Sequence, residues 1–370
     1  MDKQSPLKTN TLIDILKSPK KSSSTKIDCN SKVYATLVAD THCLLGECVL
    51  YNEETNQILW TNIDGKEFYK LTLSTANPKL DIIQLPKMLG AFALVSYSDK
   101  DKNNDGTHLC AWEDGFELFN LEAQTTTPSS KSNYSEGVNV APLGLPTRLN
   151  DGRCDNEGCR FICGGFYGDL EQVTMKVFKC EQQQELPTLI HKELHHLDNG
   201  LRYPKDNNSL QVTNSICFSP SGNTMYLADS PTQAIFKYKY DKVSGHISDK
   251  SLLIQYKDTN DTSTHEFYGV PDGSCVDSEG YVWNAVWRCG KGSSFVNRIH
   301  PDTGEIVYVV HMPDTTSQVT CCCFGGKDLD ILFITSACIG LKNNQEVHAG
   351  GLYAVKVPFR GRPEARFQVK

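Results

Sequence analysis

Three oxygen-bearing side chains stand at the starts of three apolar segments that lie far apart in the chain. Glu47 precedes Cys-Val-Leu-Tyr, Asn214 precedes Ser-Ile-Cys-Phe-Ser, and Asp272 precedes Gly-Ser-Cys-Val-Asp. Two carboxylates and an amide oxygen, with a combined charge of about −2, are ligands that Ca²⁺ and other hard divalent cations prefer. If these strand starts meet in the fold, the sequence predicts an oxygen-rich metal site with open positions for water and substrate.

A fourth apolar segment begins in a similar way. The stretch "PTRLNDGRCD" places Arg148, Asn150 and Asp151 in front of it. Taken singly, an Asp before Gly is typical of a turn, an Asn at a strand start typically caps a loop, and a lone Arg is typically solvated. The recurrence of polar residues at the same place in the repeat is what favours a shared functional role.

These segments belong to a repeated unit of an apolar strand, a polar turn and a second strand rich in aromatic and β-branched residues. The unit begins at five places, namely Cys48, Gly152, Ile216, Ser274 and Cys322. The turns contain the Gly, Asn and Asp that hairpins favour. Equivalent aromatic residues recur about every 50 to 65 positions, a spacing that suits a four-stranded sheet with its loops. We therefore predict an all-β fold, a six-bladed β-propeller of four-stranded antiparallel blades. The inner strands of such a propeller would bring the polar strand starts together at one end of a central channel.

The chain is predicted to have one folded domain. Residues 1–32 are rich in Lys and Ser and predict a flexible, disordered tail, and residues 33–370 form the propeller. A Ser/Thr-rich stretch at about 121–141 predicts an insertion. The first residues lack the apolar core of a secretory signal, and no stretch approaches the roughly 18 apolar residues of a membrane helix.

Composition narrows the class of function. The net charge of −7 argues against nucleic-acid binding, which needs clustered basic residues, and leaves a cationic partner possible. The 15 cysteines, an odd number, predict reduced thiols that act as small core residues in a cytoplasmic protein. A structural zinc site at Cys154, Cys159 and Cys163 is the alternative, but no C-x-x-C pair accompanies them.

A second possible metal motif is incomplete. The stretch "DKNNDG" places Asp101, Asn103 and Asp105 at the first ligand positions of an EF-hand loop. The twelfth position, where the motif needs a bidentate Glu, is Trp112. We predict a polar turn that leads into a strand hairpin.

Taken in order, the motifs resemble a known family. "LLGECVLYNEETNQILWTNIDG", "PTRLNDGRCDNEGCRFICGGF", "FSPSGNTMYLADS", "PDGSCVDSEGYVWNAVWRCGKG" and "VTCCCFGGKDLDILFITSA" are similar to successive signatures of the senescence-marker-protein, gluconolactonase and luciferin-regenerating-enzyme family. The resemblance extends from about Tyr34 to Phe367. It implies a six-bladed propeller with a divalent metal in its channel and an activity that opens sugar lactones.

The resemblance also implies a role for each candidate residue. Glu47, Asn214 and Asp272 would bind the metal. The expected ion is Ca²⁺ or Zn²⁺, and Mn²⁺ or Mg²⁺ is the alternative. Asp272 would in addition act as the catalytic proton acceptor. Arg148 and Asn150 would hold the oxygens of a small-molecule lactone. Neither a nucleic acid nor a membrane is an expected partner, and the sequence does not indicate the oligomeric state.

The chain departs from the family pattern next to two ligands. Cys48 stands where the family has the second Gly of Gly-Glu-Gly, and Ser215 stands where it has the Gly of Asn-Gly. An Asn-Gly pair at Asn199 competes with Asn214, and Glu171 is a further candidate substrate contact. The alternatives are a non-catalytic calcium-binding regulatory propeller, a phosphotriester hydrolase on the same fold, and a scaffold without metal.

Overall fold

The computed structural model describes eleven segments of the chain. They are residues 6–20, 32–97, 106–126, 147–167, 177–182, 189–193, 212–256, 269–288, 294–313, 316–341 and 346–369. Within these segments, β-strands account for almost all of the regular structure, and the longest helix has nine residues. The predicted all-β class is confirmed.

The elements run in chain order as follows. The first group is α1 (Thr9–Lys17), β1 (Val33–Tyr34), β2 (Thr36–Ala39), β3 (Gly46–Asn52), β4 (Gln57–Asn62), β5 (Glu67–Thr72) and β6 (Lys79–Gln84). The second is β7 (Leu89–Tyr97), β8 (Thr107–Trp112), β9 (Gly115–Asn120), β10 (Thr125–Thr126), β11 (Thr147–Cys154), β12 (Arg160–Tyr167), β13 (Val177–Gln182) and β14 (Leu189–Glu193). The third is β15 (Thr213–Phe218), β16 (Thr224–Asp229), a 3-10 helix (Ser230–Thr232), β17 (Ala234–Tyr240) and β18 (Ile247–Gln255). The last is β19 (Val270–Val276), β20 (Val282–Trp287), β21 (Phe295–Ile299), β22 (Ile306–His311), β23 (Val319–Gly325), β24 (Ile331–Ser336), β25 (Leu352–Lys356) and β26 (Phe367–Val369).

The chain divides into two compact units, each with three sheets in its described part. Unit 1 comprises residues 1–84 and 256–364, and unit 2 comprises residues 85–255 and 365–370. The sheets of unit 1 have the strand orders β3-β4-β5-β6, β2-β25-β24-β23 and β1-β22-β21-β20-β19. Those of unit 2 have the orders β10-β9-β8-β7-β26, β11-β12-β13-β14 and β15-β16-β17-β18. Each sheet contains four antiparallel strands, which is the blade of a β-propeller. In five sheets these are four consecutive strands, and in the sixth β2 joins the three consecutive strands β23, β24 and β25.

Two blades are larger than predicted. β1 joins the edge of one sheet in unit 1 by pairing in parallel with β22. β26 joins a sheet of unit 2 by pairing in parallel with β7. These blades therefore have five strands, because short segments close to the chain ends cover sheet edges that would otherwise leave backbone groups unpaired.

The five repeated units identified in the sequence each form a hairpin, which confirms that prediction. They are β3–β4, β11–β12, β15–β16, β19–β20 and β23–β24. The hairpin expected after the incomplete EF-hand motif is also present, as β8–β9. Of that motif, residues 101–105 lie outside the described part of the chain, as do residues 127–146 of the predicted insertion and its surroundings.

The blades are held by apolar layers within each unit. In unit 1, Trp60 stacks on Tyr69 with ring centroids 4.8 Å apart, and Trp283 packs edge-on against Phe324 at 5.3 Å. All four rings are buried. In unit 2, one buried cluster lies mostly on β15 to β17 and includes Ile216. The cysteines that the structure describes are all free, and most are buried, as the composition predicted.

Part of the predicted tail is helical. α1 packs against β2 and β25, and its Leu12 is completely buried. The backbone N–H of Lys8 donates to the Val38 carbonyl at 2.9 Å, so this segment also covers the edge of β2. Here the structure differs from the predicted flexible tail, because a short amphipathic segment finds an apolar surface to cover. Residues 1–5 and 21–31 lie outside the described residues. No helix in the described residues is long and apolar enough to cross a membrane.

Candidate functional site

The first strand of every four-stranded meander contains a β-bulge. The register shifts between Glu47 and Leu50 in β3 and between Pro271 and Ser274 in β19. Corresponding shifts occur in β7, β11, β15 and β23. A bulge adds one unpaired residue and re-aims the neighbouring side chains. All five predicted site residues lie within one residue of such a bulge.

In unit 1, the bulge of β3 presents Glu47. The side chain is 7% exposed, and its Oε2 accepts a 3.3 Å hydrogen bond from the backbone N–H of Cys48. Cys48 has φ 48°, which is the left-handed region that glycine occupies without steric cost. Cys48, which stands where the family has Gly, is therefore a strained residue directly after the candidate ligand Glu47.

The bulge of β19 presents Asp272, which is 6% exposed. Asn284, on the neighbouring strand β20, stabilises this part of β19. Its Nδ2 donates to the Asp272 carbonyl at 3.0 Å and to Ser274 Oγ at 3.0 Å. A Cβ on Gly273 would lie 2.7 Å from Cys321 Cβ, so only glycine allows β19 to approach β23 this closely. Asp272-Gly273 is thus part of a strand rather than the turn that such a pair typically forms.

β23 separates the two carboxylate-bearing strands of unit 1. It lies beside β3 on one side and beside β19 on the other. Thr320, at the bulge of β23, is completely buried and its Oγ1 donates to the Gly46 carbonyl. Glu47 and Asp272 therefore lie at matching bulges of two blades that flank a third.

In unit 2, Arg148, Asn150 and Asn214 form one hydrogen-bonded chain. Arg148 Nη1 donates to Asn150 Oδ1, and Asn150 Nδ2 donates to Asn214 Oδ1 at 3.0 Å. Asn214 Nδ2 in turn donates to Ser230 Oγ at 2.8 Å. All of these side chains are buried. The structure thus brings together the three site residues that the sequence predicted in this unit.

The orientation of these groups is set by residues that sequence reasoning missed. The guanidinium carbon of Arg148 lies 4.7 Å from the centre of the Phe166 ring, which fixes the plane of the guanidinium. Ser230 begins the 3-10 helix after β16 and accepts from Asn214. The motif "YLADS" contains this serine, but no spacing in the sequence indicates that it contacts a residue sixteen positions away.

Asp151 braces the same network. Its Oδ2 accepts a 2.8 Å hydrogen bond from the Ile216 backbone N–H on β15. Burial raises the pKa of the Asp151 carboxyl, and the charge of Arg153 and the N–H groups of Ile216 and Gly152 oppose that rise. The Asp151 carboxylate therefore contacts the backbone of β15 rather than the hydrogen-bonded chain of Arg148, Asn150 and Asn214.

The donor chemistry suits a hard cation. The predicted ligands are two buried carboxylates in unit 1 and one buried amide in unit 2 whose nitrogen is occupied by Ser230. Ca²⁺ and Mg²⁺ bind such oxygens, whereas structural zinc sites use Cys and His. Among the described residues, no three His, Cys, Asp or Glu side chains are grouped closely enough to hold a metal. Asn199 and Glu171 lie outside the described residues.

The blades place this chain in the β-propeller class, and comparison with known proteins identifies the family. Residues 45–338 match the profile of the SMP-30/Gluconolactonase/LRE-like region. This is well over half of the chain, and the chain belongs to that family.

Relatives align over nearly their whole lengths. The chain is 30% identical to L-arabinolactonase of Azospirillum brasilense over 336 residues, which cover 90% of this chain and 95% of that one. It is 27% identical to regucalcin of Xenopus laevis, with coverage of 90% and 95%. The crystal structure of a calcium-binding protein, regucalcin, from Agrobacterium tumefaciens superposes with a TM-score of 0.69 at 22% identity and covers 91% of this chain and 99% of that one. This likeness supports the propeller fold.

Proposed function

We propose that this protein hydrolyses a sugar lactone with the aid of one divalent metal ion. The observation that carries the proposal is the 30% identity to an L-arabinolactonase over 90% of the chain. The proposal also includes a single six-bladed propeller domain over residues 33–370. Glu47, Asn214 and Asp272 are the proposed metal ligands, and Arg148 and Asn150 are the proposed substrate contacts.

The bound metal would polarise the lactone carbonyl and lower the pKa of a water molecule. Its proposed identity is Ca²⁺ or Zn²⁺, and the oxygen-only ligand set favours Ca²⁺. Among the relatives, the regucalcin from Agrobacterium tumefaciens is described as a calcium-binding protein.

The chain's own groups have distinct tasks in this proposal. The Asp272 carboxylate accepts a proton from the attacking water, as a general base does. Arg148 offers paired N–H donors to the oxygens of the lactone, and its stacking on Phe166 fixes their direction. The Asn150 amide, held between Arg148 and Asn214, contributes to the same polar surface. After ring opening, the product is a hydroxy acid, and the net release of a proton accompanies its formation near neutral pH.

The test measures that proton release. Chelator-treated protein is assayed with L-arabinono- and D-gluconolactones before and after Ca²⁺, Zn²⁺, Mn²⁺ or Mg²⁺ is restored. We expect activity to vanish on chelation, to return with at least one ion, and to be lost in Glu47→Gln. Glu54→Gln, an exposed carboxylate in the turn of the same hairpin, is the matched control and should retain activity.

Three results would contradict the proposal in different ways. Activity that survives both chelation and Glu47→Gln would exclude a metal-dependent lactonase. Metal binding without turnover of any lactone would instead indicate a non-catalytic calcium-binding propeller. Hydrolysis of an organophosphate but of no lactone would indicate a phosphotriester hydrolase.

A further inference from the structure

The strand that carries Asn214 has an unusual backbone. The bulge of β15 leaves Ser215 and Ile216 outside the regular ladder with β16. Ser215 has φ 58°, a left-handed conformation that is costly for a residue with a side chain. A strained conformation persists only where its surroundings hold it in place. Neighbouring groups must therefore stabilise this bulge, and they thereby fix the orientation of the Asn214 side chain.

Two hydrogen bonds from β11 hold the bulge on both sides of Asn214. Before it, Asn150 Nδ2 donates to the Thr213 carbonyl at 2.9 Å. After it, Asp151 Oδ2 accepts from the Ile216 N–H at 2.8 Å. The bulge takes this N–H out of the ladder with β16, so the carboxylate satisfies a buried backbone donor that the sheet leaves over.

The Asp151 carboxylate is suited to this task and poorly placed for direct chemistry. It is 7% exposed, and its Oδ2 points at the backbone of the neighbouring strand rather than joining the chain of Arg148, Asn150 and Asn214. A buried carboxylate costs free energy unless hydrogen bonds offset its desolvation. The hydrogen bond from the Ile216 N–H offsets part of this cost and at the same time holds the strained bulge next to the candidate ligand.

We propose that Asp151 is a positioning residue that holds Asn214 in its metal-binding orientation by pinning the bulge of β15. This inference rests on the proposed function, since it assigns Asn214 to a divalent metal. Asp151 acts through the Ile216 N–H and the left-handed Ser215, and it contacts neither the metal nor the substrate.

The experiment measures the affinity of the full-length protein for Ca²⁺, Zn²⁺, Mn²⁺ and Mg²⁺ by calorimetric titration, together with kcat and KM for the lactone. Loss of an outer-shell partner typically lowers metal affinity about 10- to 100-fold, and we expect this loss in Asp151→Ala. Asp151→Asn keeps an oxygen that accepts from Ile216, so its loss should be less than about tenfold because neutral acceptors form bonds about half as strong.

Asp155→Ala is the matched control. Asp155 is also buried in the same hairpin, but its Oδ1 accepts from the Cys159 N–H and its Oδ2 from the Tyr240 hydroxyl, away from Asn214. Its replacement should lower thermal stability without changing the metal affinity of the folded protein. Equal affinity losses in the two alanine variants would show a general structural effect and overturn the proposal.

A second substitution tests the mechanism itself. Ser215→Gly adopts the left-handed conformation without strain, so it should restore at least part of the metal affinity lost in Asp151→Ala. Absence of any rescue would mean that Asp151 does not act through the bulge. If Asp151→Ala does not fold, the same comparison is made between Asp151→Asn and Asp151→Asn/Ser215→Gly.

The failure of the proposed function is distinguishable from the failure of this inference. A wild-type protein that binds none of the four ions would overturn both the function and the metal role of Asn214. A wild-type protein that binds an ion, with an affinity unchanged in Asp151→Ala, would overturn only the role of Asp151. Amide exchange at Ile216, slow in the wild type and faster in Asp151→Ala, reports on the hydrogen bond without any metal.

Discussion

The candidate site residues lie at β-bulges in both units, but their side chains differ in charge. In unit 1, the bulges of β3 and β19 present the carboxylates Glu47 and Asp272. In unit 2, the bulges of β11 and β15 present Asn150 and Asn214, and Arg148 binds to the first of these amides. Strand pairing fixes where a side chain is presented, whereas the residue at that place decides its charge. One fold can thus offer an acidic region and a region of neutral amides with a guanidinium group.

The difference in charge leads to the largest expected effect. Asp272→Ala removes a candidate metal ligand and the candidate general base. We expect kcat to fall about 100- to 1000-fold, because several kcal/mol of transition-state stabilisation are lost and about 1.4 kcal/mol corresponds to a factor of ten. Asn214→Ala removes a neutral ligand only and should cost about 10- to 100-fold. The measurement is steady-state lactone hydrolysis at saturating metal, with circular dichroism as the folding control. A larger loss in Asn214→Ala would reverse the proposed division of labour between the units.

Arg148→Lys tests the substrate side of unit 2. The lysine keeps the positive charge but loses the planar fork and the stacking on Phe166. We expect KM for the lactone to rise about tenfold, equivalent to about 1.4 kcal/mol, with a smaller change in kcat. Metal affinity, measured by titration, should stay the same because Arg148 is not a proposed ligand. A variant that loses metal binding while it retains KM would contradict this assignment.

The shared bulge predicts a similar effect in both units. Cys48→Gly in unit 1 and Ser215→Gly in unit 2 each relieve a left-handed residue, and each should raise the free energy of unfolding by about 1 kcal/mol. Urea denaturation is the measurement. Cys48→Ala and Ser215→Ala are the controls, since they shorten the side chain but keep the strain. Destabilisation by both glycines would mean that these conformations are not strained.

The smallest expected effect concerns pH and differs in sign between the units. In unit 2, burial raises the pKa of Asp155, while the Tyr240 hydroxyl and Arg160 oppose the rise. The folded state therefore binds a proton more tightly than the unfolded state. This contribution to stability is present at low pH and is lost as pH rises from the unfolded value of about 3.9 through the higher folded pKa. In Asp155→Asn this part of the slope of stability against pH should vanish.

In unit 1, the half-buried Asp328 shows the opposite sign. The hydrogen bond from Lys20 lowers its pKa, so its contribution is present above the unfolded value and is lost as pH falls through the folded pKa. Urea denaturation between pH 3 and 7 compares Asp155→Asn with Asp328→Asn. If both variants change the slope of stability against pH in the same direction, the predicted opposite signs for Asp155 and Asp328 are wrong.

Much of the fold was predictable from the sequence because strand hairpins leave local signals. The turns at "DNEG", "SPSG" and "DSEG" mark β11–β12, β15–β16 and β19–β20, and the strands on either side carry the aromatic residues of the core. The helix α1 was missed because residues 1–32 have a polar composition, and only the apolar surface beside β2 makes Leu12 a core residue.

The site residues were predictable as types and positions, but their surroundings were not. The sequence by itself determined the oxygen-rich candidates Glu47, Asn214 and Asp272, because residue type fixes charge and ligand chemistry. Only the tertiary structure decided that Ser215 is held in a left-handed bulge and that Asp151 reaches Ile216. Packing between β11 and β15, which belong to two different sheets, creates this contact between residues 65 positions apart. No local pattern in the chain encodes which strand of a neighbouring sheet will supply the N–H group.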